Sequence, residues 1–264
     1  LLAVVVTFDR PIGHGIGEIP QKVLMTREEK YAYLEQMGVD ILLELTFREE
    51  IQRMSPEEFV HSLVDFFHLQ YMICGNDFRF GYKGAGDVDL LAKCAAKYGF
   101  RLDIVDKLRC ESREISSTFI REEIAAGHVE NANTLLGYPY FVVGEIVHGN
   151  HIGSDRIGRP TINIHPPADK LLPPNGVYVT EAYLIGRKFH GVTNVGFRPS
   201  IHEKNKEIRI ETHILDFDRN VYDQKARIVF LKFLRSEQAF SSMETLKAQI
   251  EADVRMTYQY FNEK

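Results

Sequence analysis

The 264-residue chain is 44% hydrophobic and 26% charged, has a net charge of −5 and a sequence pI near 6.1, which suits a globular protein with room for two domains. The acidic balance and the scattering of basic residues speak against nucleic acid or an anionic membrane surface as a partner. Three cysteines without close spacing, Cys74, Cys94 and Cys110, offer neither a disulfide framework nor a zinc knuckle, and point to a reducing cytoplasm.

No apolar run approaches the ~20 residues of a membrane span. The apolar stretch Leu1–Phe8 has no basic region before it and no cleavage site after it, so it reads as a buried parallel strand and not as a signal peptide. Because the chain does not open on Met, the natural protein is expected to continue upstream of Leu1. Thr26 and Glu29 have the spacing of a capping box, opening a helix that ends at Gly38. Val39–Leu45 is the next strand. Ser55 caps a helix with Pro56 at its first position and Phe59, Val60, Leu63, Val64 and Phe67 as its apolar stripe. Tyr71–Cys74 is a strand, Leu90–Tyr98 a helix and Leu102–Val105 a strand. This alternation predicts an open, mostly parallel α/β sheet over 1–138.

After Ile115-Ser-Ser-Thr118 the pattern turns helical through Ile124 and stops at Gly127, Asn131–Leu136 is a further short helix, and the domain boundary is expected at Gly137-Tyr-Pro139. The second half, 139–264, is β. Tyr140–Val147, Thr161–His165, Gly176–Ile185, Lys188–Val195, Ile208–Phe217 and Ala226–Leu234 read as strands of a small antiparallel barrel. A closing helix is expected to be capped by Ser241, with Glu244 three residues on and Leu246, Ile250 and Val254 on its core face.

Four stretches carry residues suited to chemistry. In "GRPTINI", Thr161 and Asn163 share one strand face, behind a loop with Gly149, Gly153 and Gly158. Neutral oxygen donors of this kind suit Mg²⁺ and phosphate, and they equally suit a polar strand face shaped by turn glycines. In "IRIETHI", Glu211 and His213 share one face and Ile210, Thr212 and Ile214 the other, so Glu211 is either a general base or a solvated strand residue. "CGNDFRFG" is a ligand loop at the end of a parallel strand, or a tight turn in which Phe78 and Phe80 plug the core. "EISSTFIR" sets Ser116, Ser117 and Thr118 at a helix N-terminus with Arg121 one turn in, as an anion site or as plain capping.

Taken in order, Gly-x-Asp-Phe-x-Phe-Gly, Ile-Ser-Ser-Thr-x-Ile-Arg, Gly-x-Pro-Thr-x-Asn and Glu-x-x-x-x-Asp-Phe resemble the prokaryotic bifunctional riboflavin kinase/FAD synthetase family. "NANTLLGYPY", "LLPPNGVYV", "GVTNVGFRPS" and "FLRSEQAF" extend the resemblance over essentially the whole chain. It implies an α/β nucleotidyltransferase-like domain (Rossmann-like parallel sheet) over 1–138 that adenylylates FMN to FAD. It also implies a six-stranded antiparallel barrel with a C-terminal helix over 139–264 that phosphorylates riboflavin to FMN. ATP is the co-substrate of both reactions, with Mg²⁺ as cofactor and a monomer or weak oligomer as the form.

By that resemblance, Glu211 is the kinase base and Thr161 and Asn163 hold the metal. The same two residues and Gly149, Gly153 and Gly158 meet the ATP phosphates. Ser116, Ser117, Thr118 and Arg121 bind ATP in the adenylyl-transfer domain. Asp77, Phe78, Arg235 and Glu237 contact flavin. The family's Phe-Asp-Gly-Val-His-x-Gly-His signature is absent from this chain, and His14, after the first strand, cannot replace it. Adenylylation is therefore not expected of the chain as it stands. A kinase-only relative with a degenerate α/β domain and a non-catalytic flavin-binding regulator are the alternative readings.

Overall fold

The computed structural model describes residues 1–8, 22–46, 48–147, 161–197, 208–217, 221 and 224–263. The chain divides into two compact units, Leu1–Ile19 with Tyr31–Ile115, and Pro20–Lys30 with Ser116–Lys264.

In the first unit, β1 (Val4–Phe8) pairs in parallel with β2 (Ile41–Leu45), and β3 (Tyr71–Gly75) in parallel with β4 (Arg101–Val105). The parallel strands expected from the sequence are thus present as two pairs. Parallel neighbours need long crossovers, and helices supply them. Helix α1 (Arg27–Gln36) precedes β2, and α2 (Glu49–Arg53) and α3 (Pro56–Phe67) precede β3. Helix α4 (Val88–Tyr98) links β3 to β4, and a short antiparallel ladder, β5 (Arg109–Cys110) with β6 (Arg113–Glu114), follows.

The helix starts are local chemistry. Thr26 and Glu29 exchange side-chain and backbone hydrogen bonds at 2.9 and 3.2 Å, and Ser55 and Glu58 do the same around Pro56. Asp87 caps α4, which ends at Gly99 in the left-handed region (φ 79°), where a residue without Cβ is favoured. Val60, Phe80, Leu91, Cys94, Ala95 and Phe100 form the core.

In the second unit, α5 (Ser117–Ala125) and α6 (Val129–Leu136) lead into six strands that close a barrel. These are β7 (Phe141–Val147), β8 (Thr161–His165), β9 (Gly176–Leu184), β10 (Arg187–Phe197), β11 (Ile208–Ile214) and β12 (Lys225–Ser236). Their order around the barrel is β10, β11, β8, β7, β12, β9, every pairing antiparallel. Alternation decides what faces inward. Ile162, Ile164, Tyr178, Ala182, Val195, Ile210, Ile214, Ile228 and Phe230 are buried.

Three fully buried threonines sit among them. Thr180 donates to the carbonyl of Gly191 at 3.1 Å, and the Thr180–Thr193 and Thr193–Thr212 hydroxyls are 2.7 and 2.8 Å apart. Each hydroxyl has one proton. Thr180 spends its proton on Gly191, so Thr193 must donate to Thr180 and Thr212 to Thr193. The chain of hydroxyls has one direction, and every proton in it is used. Thr193→Val leaves the Thr212 proton without an acceptor, and is expected to destabilise the protein by about 1–3 kcal/mol in urea unfolding. Thr212→Val strands no donor and should cost less.

The final helix, α7 (Met243–Asn262), covers the outer face of β9 and β10, where Val254 packs with Val177, Val192 and Leu215. Its cap differs from the expected Ser241 and Glu244. Ser242 is the capping residue and Thr245 closes the box, its hydroxyl accepting from the Ser242 N–H at 3.2 Å while the Ser242 hydroxyl accepts from the Thr245 N–H at 3.3 Å. With two adjacent serines, two frames compete, and a Thr hydroxyl close to the backbone wins over the Glu pattern.

The segment around Val23 runs parallel to the chain at Lys170. Val23 N–H donates to Asp169 O at 2.8 Å and Leu171 N–H to Val23 O at 2.9 Å. Lys170 Nζ then reaches Glu29 Oε2 at 2.7 Å and Leu24 O at 2.6 Å. Glu29 also accepts from Val143 N–H at 2.9 Å. Both charged side chains are essentially fully buried, 1% and 0% exposed.

Candidate functional site

Register builds the site on the outer face of the barrel. Asn163 on β8 lies opposite Glu211 on β11, and Glu211 lies opposite Asn194 on β10. The same row continues through Val177 on β9 to Arg235 on β12. Directly opposed residues share a face with Cβ atoms about 4.5–5.5 Å apart. Glu211 therefore stands between two amides, each one side-chain length away. The buried flanks Ile210 and Thr212 turn the other way, into the barrel. Asn163, Glu211 and Asn194 are half-buried.

Thr161 lies one step along β8 from the row, opposite His213. Its hydroxyl donates to Glu211 Oε1 at 2.9 Å. This one bond constrains both groups. The Thr161 proton is committed to Glu211, so its oxygen lone pairs are free for an electropositive ligand. Glu211 keeps Oε2 without a partner among the described residues. The side-chain amides of Asn163 and Asn194 likewise have none there. The expected pairing of Thr161 and Asn163 on one face, with Glu211 beside them, is thus present. Gly149, Gly153 and Gly158 lie outside the described residues.

Glu237 and Asn175 extend the site. Asn175 Nδ2 donates to Glu237 Oε2 at 3.0 Å. A Cβ added to Gly196 would stand 2.1 Å from Glu237 Oε1 and 3.2 Å from Asn194 Nδ2, so Glu237 occupies the space above Gly196, next to Asn194. Arg235 is committed elsewhere. Its Nε and Nη2 bond the buried carboxylate of Asp253 on α7 at 3.0 and 2.7 Å, and its Nη1 bonds Ser236 O at 3.1 Å. Asp253 also accepts from Gln249 at 2.9 Å. Arg235 therefore pins α7 to the end of the row.

Sequence reasoning passed over Asn194 and Asn175. The parity of β10 carried a signal for the first, since Asn194 is the polar outward residue between Val192 and Gly196.

In the first unit, the loop after β3 closes onto the loop after β4. Asn76 N–H donates to Val105 O at 3.0 Å, and its side chain to Asp106 Oδ1 at 2.9 Å. Asp77 is exposed and ion-paired with Lys107 at 2.6 Å. That hydrogen bond and charge hold the Asp77 carboxyl below the usual carboxylate range and raise the Lys107 ammonium. Phe78 stacks on Phe80 with centroids 5.3 Å apart, and Phe80 plugs the core. The core-plug reading holds at Phe80, with Phe78 packed beside it, while Asp77 stands exposed in its ion pair with Lys107.

In the second unit, Ser116 caps α5 by accepting from the Phe119 N–H at 3.2 Å. Ser117 and Thr118 are exposed at the first turn. Arg121 Nε donates to Lys22 O at 3.2 Å. Among the described residues no cluster of His, Cys, Asp and Glu could hold a metal, and no helix is long and apolar enough to cross a membrane.

Comparison with known proteins adds the chemistry. A riboflavin kinase family model matches residues 136–261 and an FAD synthetase family model residues 1–119. The bifunctional riboflavin kinase/FMN adenylyltransferase of Bacillus subtilis is 34% identical over 272 residues, covering 99% of this chain and 83% of that protein. Its counterpart in Listeria monocytogenes is 36% identical over 263 residues, with the same two coverages. A crystal structure described as a macrolide-efflux protein from Streptococcus pneumoniae superposes with a TM-score of 0.86 at 27% identity, covering 98% of this chain and 84% of that one.

Proposed function

Because the chain belongs to the bifunctional riboflavin kinase/FMN adenylyltransferase family, we propose that the row Asn163–Glu211–Asn194, with Thr161, is its riboflavin kinase centre. The protein serves flavin cofactor biosynthesis through ATP-dependent chemistry, with riboflavin, FMN and ATP as its small molecules. The FAD synthetase match over 1–119 gives the α/β half the adenylyltransferase assignment that the absent histidine signature had spoken against. We further read the protein as a cytoplasmic monomer or weak oligomer that engages neither nucleic acid nor membrane, with its functional division at 138/139.

The observation that carries the kinase reading is the Thr161–Glu211 hydrogen bond between two amides that have no partner among the described residues. In the reaction, the terminal ribityl oxygen of riboflavin bonds to the γ-phosphorus of ATP, the bond from that phosphorus to the β–γ bridging oxygen breaks, and ADP leaves. Glu211 Oε2 takes the hydroxyl proton as the new O–P bond forms, while Thr161 holds Oε1 and so fixes the direction of the carboxylate. The Thr161 lone pairs and the Asn163 amide oxygen are hard neutral donors, a set that suits Mg²⁺ beside phosphate oxygens. Bound there, Mg²⁺ would offset charge on the phosphates.

In the other half, Ser116, Ser117, Thr118 and Arg121 are proposed for ATP, and Asp77 and Phe78 for the flavin. Gly149, Gly153 and Gly158 are proposed for the kinase ATP phosphates. Glu237 is proposed on the flavin side, and Arg235 there through its hold on α7.

Asn163→Ala tests the donor side. The Mg²⁺ concentration needed for half-maximal FMN formation is expected to rise at least ~10-fold, while riboflavin binding, read by flavin fluorescence, changes less than about twofold. Lost riboflavin binding with an unchanged metal requirement would overturn the assignment of this face.

A further inference from the structure

We propose that Asn194 orients the acceptor, its amide hydrogen-bonding a secondary hydroxyl of the ribityl chain so that the terminal hydroxyl meets Glu211. The inference deepens the kinase reading and rests on Glu211 being the base.

Glu211 has two flanks in the row. Asn163, on the β8 side, stands with Thr161 and its free lone pairs, which suits the phosphate end of the reaction. Asn194, on the β10 side, faces it across two strand spacings, roughly 9–10 Å. Phosphoryl transfer sets the attacking alcohol and the leaving group on opposite sides of phosphorus. If the phosphates take the flank of Asn163, the alcohol takes that of Asn194.

The surroundings of Asn194 fit an alcohol chain. Val192, two residues before it on the same face, is buried beneath α7 in the cluster with Val177, Leu215 and Val254. Asn194 is thus the first outward residue of β10 past the helix-covered apolar patch. Its amide has no partner among the described residues, although it is half-buried. A half-buried amide at the edge of an apolar patch is placed to exchange water for a ligand hydroxyl. An amide both donates and accepts, which matches a hydroxyl in either sense.

On the far side Gly196 has no side chain, and Glu237 fills the space above it, held by Asn175. Two acceptors therefore flank the amide, Glu211 across the strands and Glu237 above Gly196. Arg235 in the row is committed to Asp253, and Arg209, opposite Gly196 on the same face, is the basic residue nearest this flank.

The test is a substitution combined with substrate deletion. Asn194→Ala and Asn194→Ser are assayed with riboflavin and with three analogues, each lacking one secondary ribityl hydroxyl. Asn194→Ala is expected to lower kcat/KM for riboflavin roughly 3- to 10-fold with the KM for ATP unchanged, and to have no effect with one of the three analogues. Asn194→Ser, which keeps a hydroxyl, should recover part of the loss and guards against a variant that merely folds poorly. An equal loss with all four substrates, or no loss with riboflavin, overturns the inference. Glu211→Gln run alongside separates the two claims. If it stays active, the kinase reading of the row falls and the inference with it; if it is slow while the Asn194 variants fail the test, only the inference falls.

Discussion

Replacing Glu211 with glutamine is expected to lower riboflavin turnover by roughly 10²- to 10⁴-fold, the usual worth of a positioned general base. Glutamine keeps the length of the side chain and an oxygen to accept from Thr161, so the 2.9 Å bond survives in kind. What disappears is the second carboxylate oxygen. An NH₂ group takes its place and turns a proton acceptor into a donor aimed at the substrate hydroxyl. Affinities for ATP and riboflavin should hold, because neither binding event needs the proton to move. Steady-state turnover with both dissociation constants is the measurement. A near-normal rate would leave Glu211 as a solvated strand residue and remove the base from the mechanism.

The second large effect concerns the buried pair. Glu29→Gln is expected to destabilise the protein by about 3–5 kcal/mol, because it leaves the Lys170 ammonium in a dry site without its counter-charge. Lys170 is fully enclosed, with its Nζ over the ring of Tyr140 at 4.5 Å, and the carbonyl of Leu24 is the remaining acceptor named for it. Burial already lowers the Lys170 pKa, and the Glu29 carboxylate opposes that lowering. Without Glu29 the lowering deepens. The unfolded chain then binds a proton at Lys170 that the folded chain does not, over the range up to the ordinary lysine pKa of about 10.4. Stability of the variant should therefore rise with pH relative to the parent and approach it toward pH ~10. Adding Lys170→Met should recover most of the loss, since two neutral groups carry no unpaired charge. Urea unfolding across pH checks all three statements; a flat difference would show that lost packing, not charge, is responsible.

Much of this was legible in the sequence because its causes are local. The capping boxes at Thr26 and Ser55 are pairs three residues apart. The facing of Thr161 with Asn163, and of Glu211 with His213, follows from strand parity alone. What parity cannot supply is which strand lies next to which. Asn194 enters the site only because β10 pairs with β11 in a register that sets it opposite Glu211. The Glu29–Lys170 pair spans 141 residues, and neither neighbourhood carries a mark of the other. Arg235 shows the same at shorter range. Its place in "FLRSEQAF" carried no sign of the carboxylate 18 residues on, on the closing helix, that holds its guanidinium. At the closing helix, two adjacent serines offered two frames and the pattern favoured the wrong one.

Because Pro20–Lys30 belongs to the same unit as Ser116–Lys264, the polypeptide changes unit three times along its length. No single peptide bond parts the two. Any one cut between residues 30 and 169, by a protease or by a gene split, puts the Glu29 carboxylate on one fragment and the Lys170 ammonium on the other. After a cut near 115/116 the first unit is intact on its fragment, but the second has lost Pro20–Lys30, and reassociation becomes the condition for it to be whole. A freestanding barrel would need the short N-terminal stretch re-spliced onto it or an apolar replacement for Lys170. The two enzymes are thus joined by interleaving, not by a linker, and a lineage that evolved to separate them would have to re-engineer the barrel as well as sever the chain.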